Sequence, residues 1–208
     1  NSTVTIDGRA FATNNIDITS GNIIVNGSML AGTGNNSVIT NNSQSDALFN
    51  TLVNTQNIHE ANNFTSRNGN IQISSGIGTA ITGNMQNLGK GNTTIINDGT
   101  NGILIKGNST NHNGNTFVIN NAGEINIQGT LKNENGNLEA TNNGTTFTTS
   151  GTITNSDGKL ALLNNNGALD ITKTAKVSNT GAGTTNIENH GINGINVYGG
   201  ITSEGDLT

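Results

Sequence analysis

A glycine-led unit recurs at Gly69-Asn70-Ile71, Gly91-Asn92-Thr93, Gly114-Asn115-Thr116, Gly136-Asn137-Leu138, Gly158-Lys159-Leu160 and Gly183-Thr184-Thr185, spaced by 22, 23, 22, 22 and 25 residues. A period of this size marks stacked repeats, in which each unit covers the open face of its neighbour. Landmarks inside the units align as well. A first strand is predicted at Thr93–Ile96, Thr116–Ile119, Leu138–Thr141 and Leu160–Leu163, each followed by an Asn-rich corner ending in Gly99, Gly123, Gly144 or Gly167. A second strand alternates with period two in Ile103-Leu104-Ile105, Ile125-Asn126-Ile127, Leu169-Asp170-Ile171 and Ile195-Asn196-Val197. A third closes the unit at Thr130-Leu131, Thr152-Ile153 and Lys176-Val177.

Three short strands per unit, each with alternate residues apolar, predict one coil of a parallel β-helix. The fold class is therefore all-β: a right-handed parallel β-helix of about nine coils, roughly 22 residues and three short strands per coil, over 1–208 as a single array. At about 4.8 Å per stacked strand the rod would be near 45 Å long. Five or six inward side chains per coil do not offset the ordering of the whole coil, so stability must come from stacking. Asn and Gly suit the corners because both tolerate left-handed backbone. Asn at equivalent corners of successive coils is expected to form amide ladders.

Composition agrees. Only 30% of the 208 residues are hydrophobic and 3% aromatic, against about 45–50% apolar for an average domain, so a thick layered core is excluded. Asparagine is about a fifth of the chain, and proline, which would interrupt coil-to-coil hydrogen bonding, is absent. With 10% charged residues and a net charge of -5, neither charge-driven disorder nor an electrostatic grip on nucleic acid is expected. No apolar run is long enough to span a bilayer. Without cysteine there are no disulfides or thiolate metal sites. The chain opens Asn1-Ser2-Thr3 and ends Asp206-Leu207-Thr208, which reads as a piece of something longer.

Residues 1–68 fit less well. Asn15–Ser20, Gly21–Asn26 and Ser37–Thr40 read as coil strands. The pattern lapses after Asn42, and residues 43–64 are predicted to leave the coil as an excursion. It carries a short helix with Ser45 as N-cap and Leu48 and Leu52 on one face, or else an irregular loop that rejoins the stack.

The pattern apolar-x-Asn-x-x-Gly-x-Leu-x-apolar stands at Leu131, Asn133, Gly136, Leu138 and Ala140, and again at Ile153, Asn155, Gly158, Leu160 and Leu162. Val177 and Asn179 begin a partial copy from which Gly181 and Gly183 drift. These units resemble the haemagglutinin-type repeats of filamentous haemagglutinin-like two-partner-secretion exoproteins, closely over 69–205 and loosely over 1–68. The resemblance implies a Gram-negative surface or secreted rod, exported through an outer-membrane transporter barrel. The Asn-Pro-Asn motifs of that family's secretion domain are missing, so a shaft or binding segment is implied. By that resemblance the chain is a structural and adhesive segment, a monomer contacting a host-cell receptor, a glycan or a neighbouring bacterium, without inserting into a membrane. The alternative is the receptor-binding or shaft region of a secreted leukotoxin, and the third reading is an enzyme of polysaccharide-lyase type.

Catalysis is not expected. Asp98 with Lys106, Glu124 with Lys132, and Asp170 with Lys173 could meet across strands or coils, but read as solvated pairs. His59, His112 and His190 have no metal-ligand spacing; His190, before Gly191, reads as a corner residue. Tyr198-Gly199-Gly200-Ile201 does not continue into a calcium nonapeptide, and no Gly-x-Gly-x-x-Gly follows a strand in a nucleotide-binding setting. No catalytic, cofactor-binding or metal residue is assigned, and no cofactor is expected. Thr145-Thr146-Phe147-Thr148-Thr149 with Thr152 and Thr154 has the composition of an ice-binding face, but Leu138–Ala140 and Leu160–Leu162 break the array. Asn-x-Ser/Thr triplets at Asn63, Asn92, Asn108 and Asn143, among others, are of a kind this composition produces by chance, while the resemblance to high-molecular-weight adhesins implies that such sites could carry sugars.

Overall fold

The computed structural model describes residues 84–208 throughout. Before them it describes nine strands: β1 (Thr3–Ile6), β2 (Arg9–Ala12), β3 (Asp17–Ser20), β4 (Asn22–Val25), β5 (Ser28–Ala31), β6 (Ser37–Asn41), β7 (Phe64–Ser66), β8 (Ile71–Ser75) and β9 (Gly78–Ile81). After β10 (Asn84–Asn87) come five coils of three strands. They are β11 (Thr93–Asn97), β12 (Gly102–Ile105) and β13 (Asn108–Asn111); β14 (Thr116–Asn120), β15 (Ile125–Ile127) and β16 (Thr130–Asn133); β17 (Leu138–Asn142), β18 (Phe147–Thr149) and β19 (Thr152–Asn155). The last two are β20 (Leu160–Asn164), β21 (Leu169–Ile171) and β22 (Lys176–Asn179), then β23 (Thr185–Asn189), β24 (Ile195–Val197) and β25 (Gly200–Ser203). Every strand pairs in parallel with its counterpart one coil away, and no helix occurs among the described residues.

The repeat spacing is the strand register. Thr93 pairs with Thr116, Thr116 with Leu138, Leu138 with Leu160, and Leu160 with Thr185. The protein is thus a parallel β-solenoid of about five turns of about 22 residues, fewer than the nine coils expected. The reason lies in the N-terminal pairings, which keep the 22-residue unit only in part: Asp17 pairs with Val38, a step of 21, but others depart from it. Thr3 pairs with Asn22 and Arg9 with Ser28, a step of 19, whereas Met29 pairs with Phe64, a step of 35. The wide step spans the chain between β6 and β7. The excursion and helix expected at 43–64 lie outside the described residues, apart from Phe64, where β7 starts.

Period-two burial builds the core. In β11, β14, β17 and β20 the first, third and fifth residues are buried and the two between them half-buried. Ile95, Val118, Ala140 and Leu162 stack on one wall; Ile103, Ile125, Phe147 and Leu169 on the second; Leu131, Ile153 and Val177 on the third. The period-two pattern predicts no second strand in the coil that holds β18. Thr145–Thr149 has the composition of an ice-binding face, yet Phe147 fills the core position between Ile125 and Leu169, and Thr149 is buried beside Ile127.

The corners force glycine where the chain turns with positive φ against the coil below. Gly114, Gly136 and Gly158 do so at φ 111, 110 and 82. In the next coil Gly181, at φ 100, takes that role instead of Gly183. Two extra residues lie between β21 and β22 and one between β22 and β23, which is why the final spacing is 25 and the partial motif drifts.

Candidate functional site

Asparagine carries most of the chain's polar side-chain chemistry, and the structure sorts it into four columns. Asn97, Asn120, Asn142 and Asn164 end the first strand of successive coils and are fully buried. Each Nδ2 donates to Oδ1 of the next: Asn97 to Asn120, Asn120 to Asn142 and Asn142 to Asn164 at 2.7 Å, then Asn164 to Asn189 at 2.8 Å. A second buried column ends the third strands, where Asn111, Asn133, Asn155 and Asn179 are linked in the same direction at 3.1 Å. A buried primary amide is tolerable when its donors and acceptor are met, and the coil spacing supplies the link at each step, although Asn111 Oδ1, at the acceptor end of its column, is buried without a partner.

The sequence pattern predicts corners for the asparagines of the first column. Those residues instead complete the strands, pointing inward. Asn142 Oδ1 also accepts the Gly144 N–H, so one side chain closes both the ladder and the turn.

The third column is exposed and runs the other way. Asn165 donates to Asn143 at 2.6 Å, Asn143 to Asn121 at 3.0 Å and Asn121 to Asp98 at 2.7 Å. Asp98, which only accepts when ionised, ends the ladder at its acceptor end. His190 stands at the donor end, its Nδ1 3.0 Å from Asn165 Oδ1, so that nitrogen carries the proton. The fourth column explains Gly-Asn in the repeat. Asn92, Asn115 and Asn137 each accept, through Oδ1, a backbone N–H one coil up, from Asn115, Asn137 and Lys159 at 2.8, 2.9 and 2.9 Å.

The charged pairs considered for catalysis do not assemble. Lys132 donates to Glu134 at 2.7 Å, not to Glu124, and Asp98 and Asp170 accept from Asn121 and Asn196. None of the three pairs considered forms an ion pair among the described residues. Glu134 Oε2 also lies 2.6 Å from His112 Nδ1. The hydrogen bond from Lys132 is the largest cause holding the Glu134 carboxyl below its ordinary range; burial opposes it, and the charge and hydrogen bond of His112 assist. His112 and Glu134 are 22 residues apart, so the coil period was the signal that could have joined them. His59 lies outside the described residues, and His190 pairs with Glu188 at 3.4 Å.

This cluster clips one coil to the next and presents no nucleophile beside a base. Among the described residues no group of three His, Cys, Asp or Glu side chains could hold a metal ion, and no helix is long and apolar enough to cross a membrane. Because the carboxyl is lowered, its contribution is complete above about pH 5 and fades as pH falls through the lowered value. Glu134→Gln is therefore expected to cost under about 1 kcal/mol at neutral pH and nothing in strong acid. Urea denaturation across pH checks this; a constant deficit at every pH would contradict it.

The three outer walls differ in chemistry. The wall of β12, β15, β18, β21 and β24 shows Leu104, Asn126, Thr148, Asp170 and Asn196, and that of β13, β16, β19, β22 and β25 shows Thr110, Lys132, Thr154, Ser178 and Thr202. The wall of β11, β14, β17, β20 and β23 is more apolar, with half-buried Ile96, Phe117, Ile119, Ala161 and Leu163. Comparison with protein-family models, with curated proteins and with solved structures finds no match to this chain.

Proposed function

We propose that the chain is a structural and adhesive segment of a filamentous exoprotein secreted by, or displayed on, a Gram-negative cell. The single observation that supports this most is the uninterrupted register of the stack. Asparagine recurs coil after coil, and both buried Asn ladders run through the described coils. Such a solenoid is quasi-one-dimensional, so adding coils lengthens it without changing its cross-section. That is the property a spacer needs to carry a contact surface away from a membrane. The repeat pattern at Leu131–Ala140 and Ile153–Leu162 adds the resemblance to haemagglutinin-type exoproteins.

In this reading the winding is right-handed, as parallel crossovers nearly always are. The parent is exported through an outer-membrane barrel, and the chain acts as a monomer without catalysis. The contact surface is the apolar outer wall around Phe117 and Ile119, facing a host-cell receptor or glycan. The test is binding of the 208-residue chain, labelled at a surface lysine, to host-cell monolayers, matrix proteins and a glycan array. Saturable binding lost in a Phe117→Asp, Ile119→Asp variant that keeps its β-sheet spectrum is the expected result. No binding to any of these surfaces overturns the adhesive reading.

A further inference from the structure

The corner between β10 and β11 is longer than its counterparts in the next two coils. Six positions separate Asn87 from Thr93, against five from Asn111 to Thr116 and five from Asn133 to Leu138. The extra residue falls within Leu88-Gly89-Lys90-Gly91, where Leu88 and Lys90 are exposed and both glycines are buried. Asn87, Thr93 and, one coil up from Asn87, Asn111 stand on the inner side of this corner, each at most 1% exposed.

One coil further on, the same corner closes on itself. Asn111 Nδ2 donates to Asn115 O and to Asn133 Oδ1, both at 3.1 Å, and Asn133 Oδ1 also accepts from the Thr116 hydroxyl at 3.0 Å. Thr93 pairs with Thr116 and Asn111 with Asn133, so equivalent contacts are due between Thr93, Asn111 and Asn87. They are not made. Asn87 Nδ2 donates to Asn92 O at 3.2 Å, and its Oδ1 accepts the Gly89 N–H at 3.4 Å. Asn111 Oδ1 and Thr93 Oγ1 are both buried without a hydrogen-bond partner, so two of the four such oxygens among the described residues stand at one corner. Buried polar groups are met almost everywhere in proteins, and two unmet ones in register with a bonded pair point to a ligand between them.

We propose that Asn87, Thr93 and Asn111 form a binding site for one internal water molecule, which replaces the direct ladder bond where the corner is a residue longer. The chemistry of the three groups selects the ligand. Asn111 Oδ1 only accepts, so the ligand must donate to it; Asn87 Nδ2 only donates, so the ligand must also accept; the Thr93 hydroxyl does either. An anion has no proton for Asn111 Oδ1. A cation would be buried without a carboxylate, because Asp98, the one acidic residue between Asn87 and Asn111, is exposed and held by Asn121. A neutral molecule with one heavy atom meets all three groups, within the roughly two to four polar partners that a buried water takes. The column is then continuous across the longer corner, and the coil displays Leu88 and Lys90 outward without leaving polar groups unmet inside.

The experiment is oxygen-17 relaxation dispersion of the water signal, which counts water molecules held long enough to tumble with the protein. It compares the 208-residue chain with a variant from which Lys90 is deleted, whose corner has the five-position length of its neighbours. The parent is expected to hold one more such water than the deletion variant, because the shorter corner lets Asn87 Nδ2 reach Asn111 Oδ1 directly. Equal counts overturn the proposal. Thr93→Val tests the same site with the backbone unaltered, and decides the matter where the deletion variant does not fold. Loss of a hydroxyl bridged by water is expected to lower the folding equilibrium constant about fivefold in urea denaturation, whereas a buried hydroxyl without any partner is better replaced by a methyl group. A Thr93→Val chain as stable as the parent, or more stable, overturns the proposal.

Discussion

Asn142→Asp is expected to destabilise the solenoid by about 3–5 kcal/mol at neutral pH, the cost of a buried charge left without a partner. The substitution changes one atom group and almost no volume, so the effect is electrostatic and directional. Asn142 Oδ1 accepts from Asn120 and from the Gly144 N–H, and a carboxylate keeps both. Its Nδ2, however, donates to Asn164 Oδ1 at 2.7 Å, and a carboxylate places a second acceptor against that oxygen. The residue is fully buried, so water cannot relieve the conflict. The ladder also fixes the sign of the pH dependence. Burial beside an acceptor raises the folded-state pKa of the new carboxyl above its unfolded value, near 3.9. The penalty is then complete above the raised value and disappears as pH falls below the unfolded one, where the protonated group donates to Asn164. Denaturant titration at neutral and acid pH measures both limits. A variant as stable as the parent at neutral pH would mean that this column is not dry or not in register.

Gly136→Ala carries the second large effect. Gly136 sits at φ 110, where an L side chain is strained by about 1–2 kcal/mol before any contact is counted. A Cβ there would lie 2.4 Å from Gly114 O and 2.9 Å from Gly114 C, backbone atoms of the coil below. Relief requires the two coils to part at this corner. That also pulls the Gly114 N–H away from Asn135 O, to which it donates at 2.9 Å. Strain and separation together are expected to cost more than about 3 kcal/mol, with the loss concentrated in the coils above and below. Hydrogen exchange locates it: amides of β14, β16, β17 and β19 should exchange much faster than those of β23. Uniform exchange across the solenoid, or no loss of stability, contradicts the corner geometry.

These substitutions also mark how far the sequence could be read. The period was legible because it is written in glycine, and a glycine with a neighbouring coil's carbonyl 2.4 Å from its missing Cβ cannot be varied. The strands and their register followed from the spacing, including the 25-residue step. The coil count did not extend to the whole chain, because the early strands pair at steps of 19 and 35. Nothing in the composition of residues 1–68 distinguishes a 19-residue coil from a 22-residue one.

Inside the repeat, polar residues misled. Asn97, Asn120, Asn142 and Asn164 looked like corner residues because asparagine is rarely buried. Only the stack, which supplies each amide with a copy of itself one coil away, makes the interior position favourable. Phe147 was hidden by the threonines around it. The pairing of His112 with Glu134 was legible in principle from the 22-residue spacing. Partners and receptors are not written in a repeat whose residues are chosen chiefly to match the coil below.

The central claim is that residues one repeat apart are neighbours across a parallel strand pair. Because the chain has no cysteine, it can be tested with two introduced thiols and no background. Lys132 pairs with Thr154, and Thr154 with Ser178 one coil further on. The double variant Lys132→Cys, Thr154→Cys is expected to form an intramolecular disulfide under mild oxidation, since adjacent strands lie about 4.8 Å apart. The variant Lys132→Cys, Ser178→Cys, two coils apart and beyond the roughly 7 Å reach of a disulfide, is expected to stay reduced. Crosslinking of the second pair but not the first would show that the chain does not wind with this period.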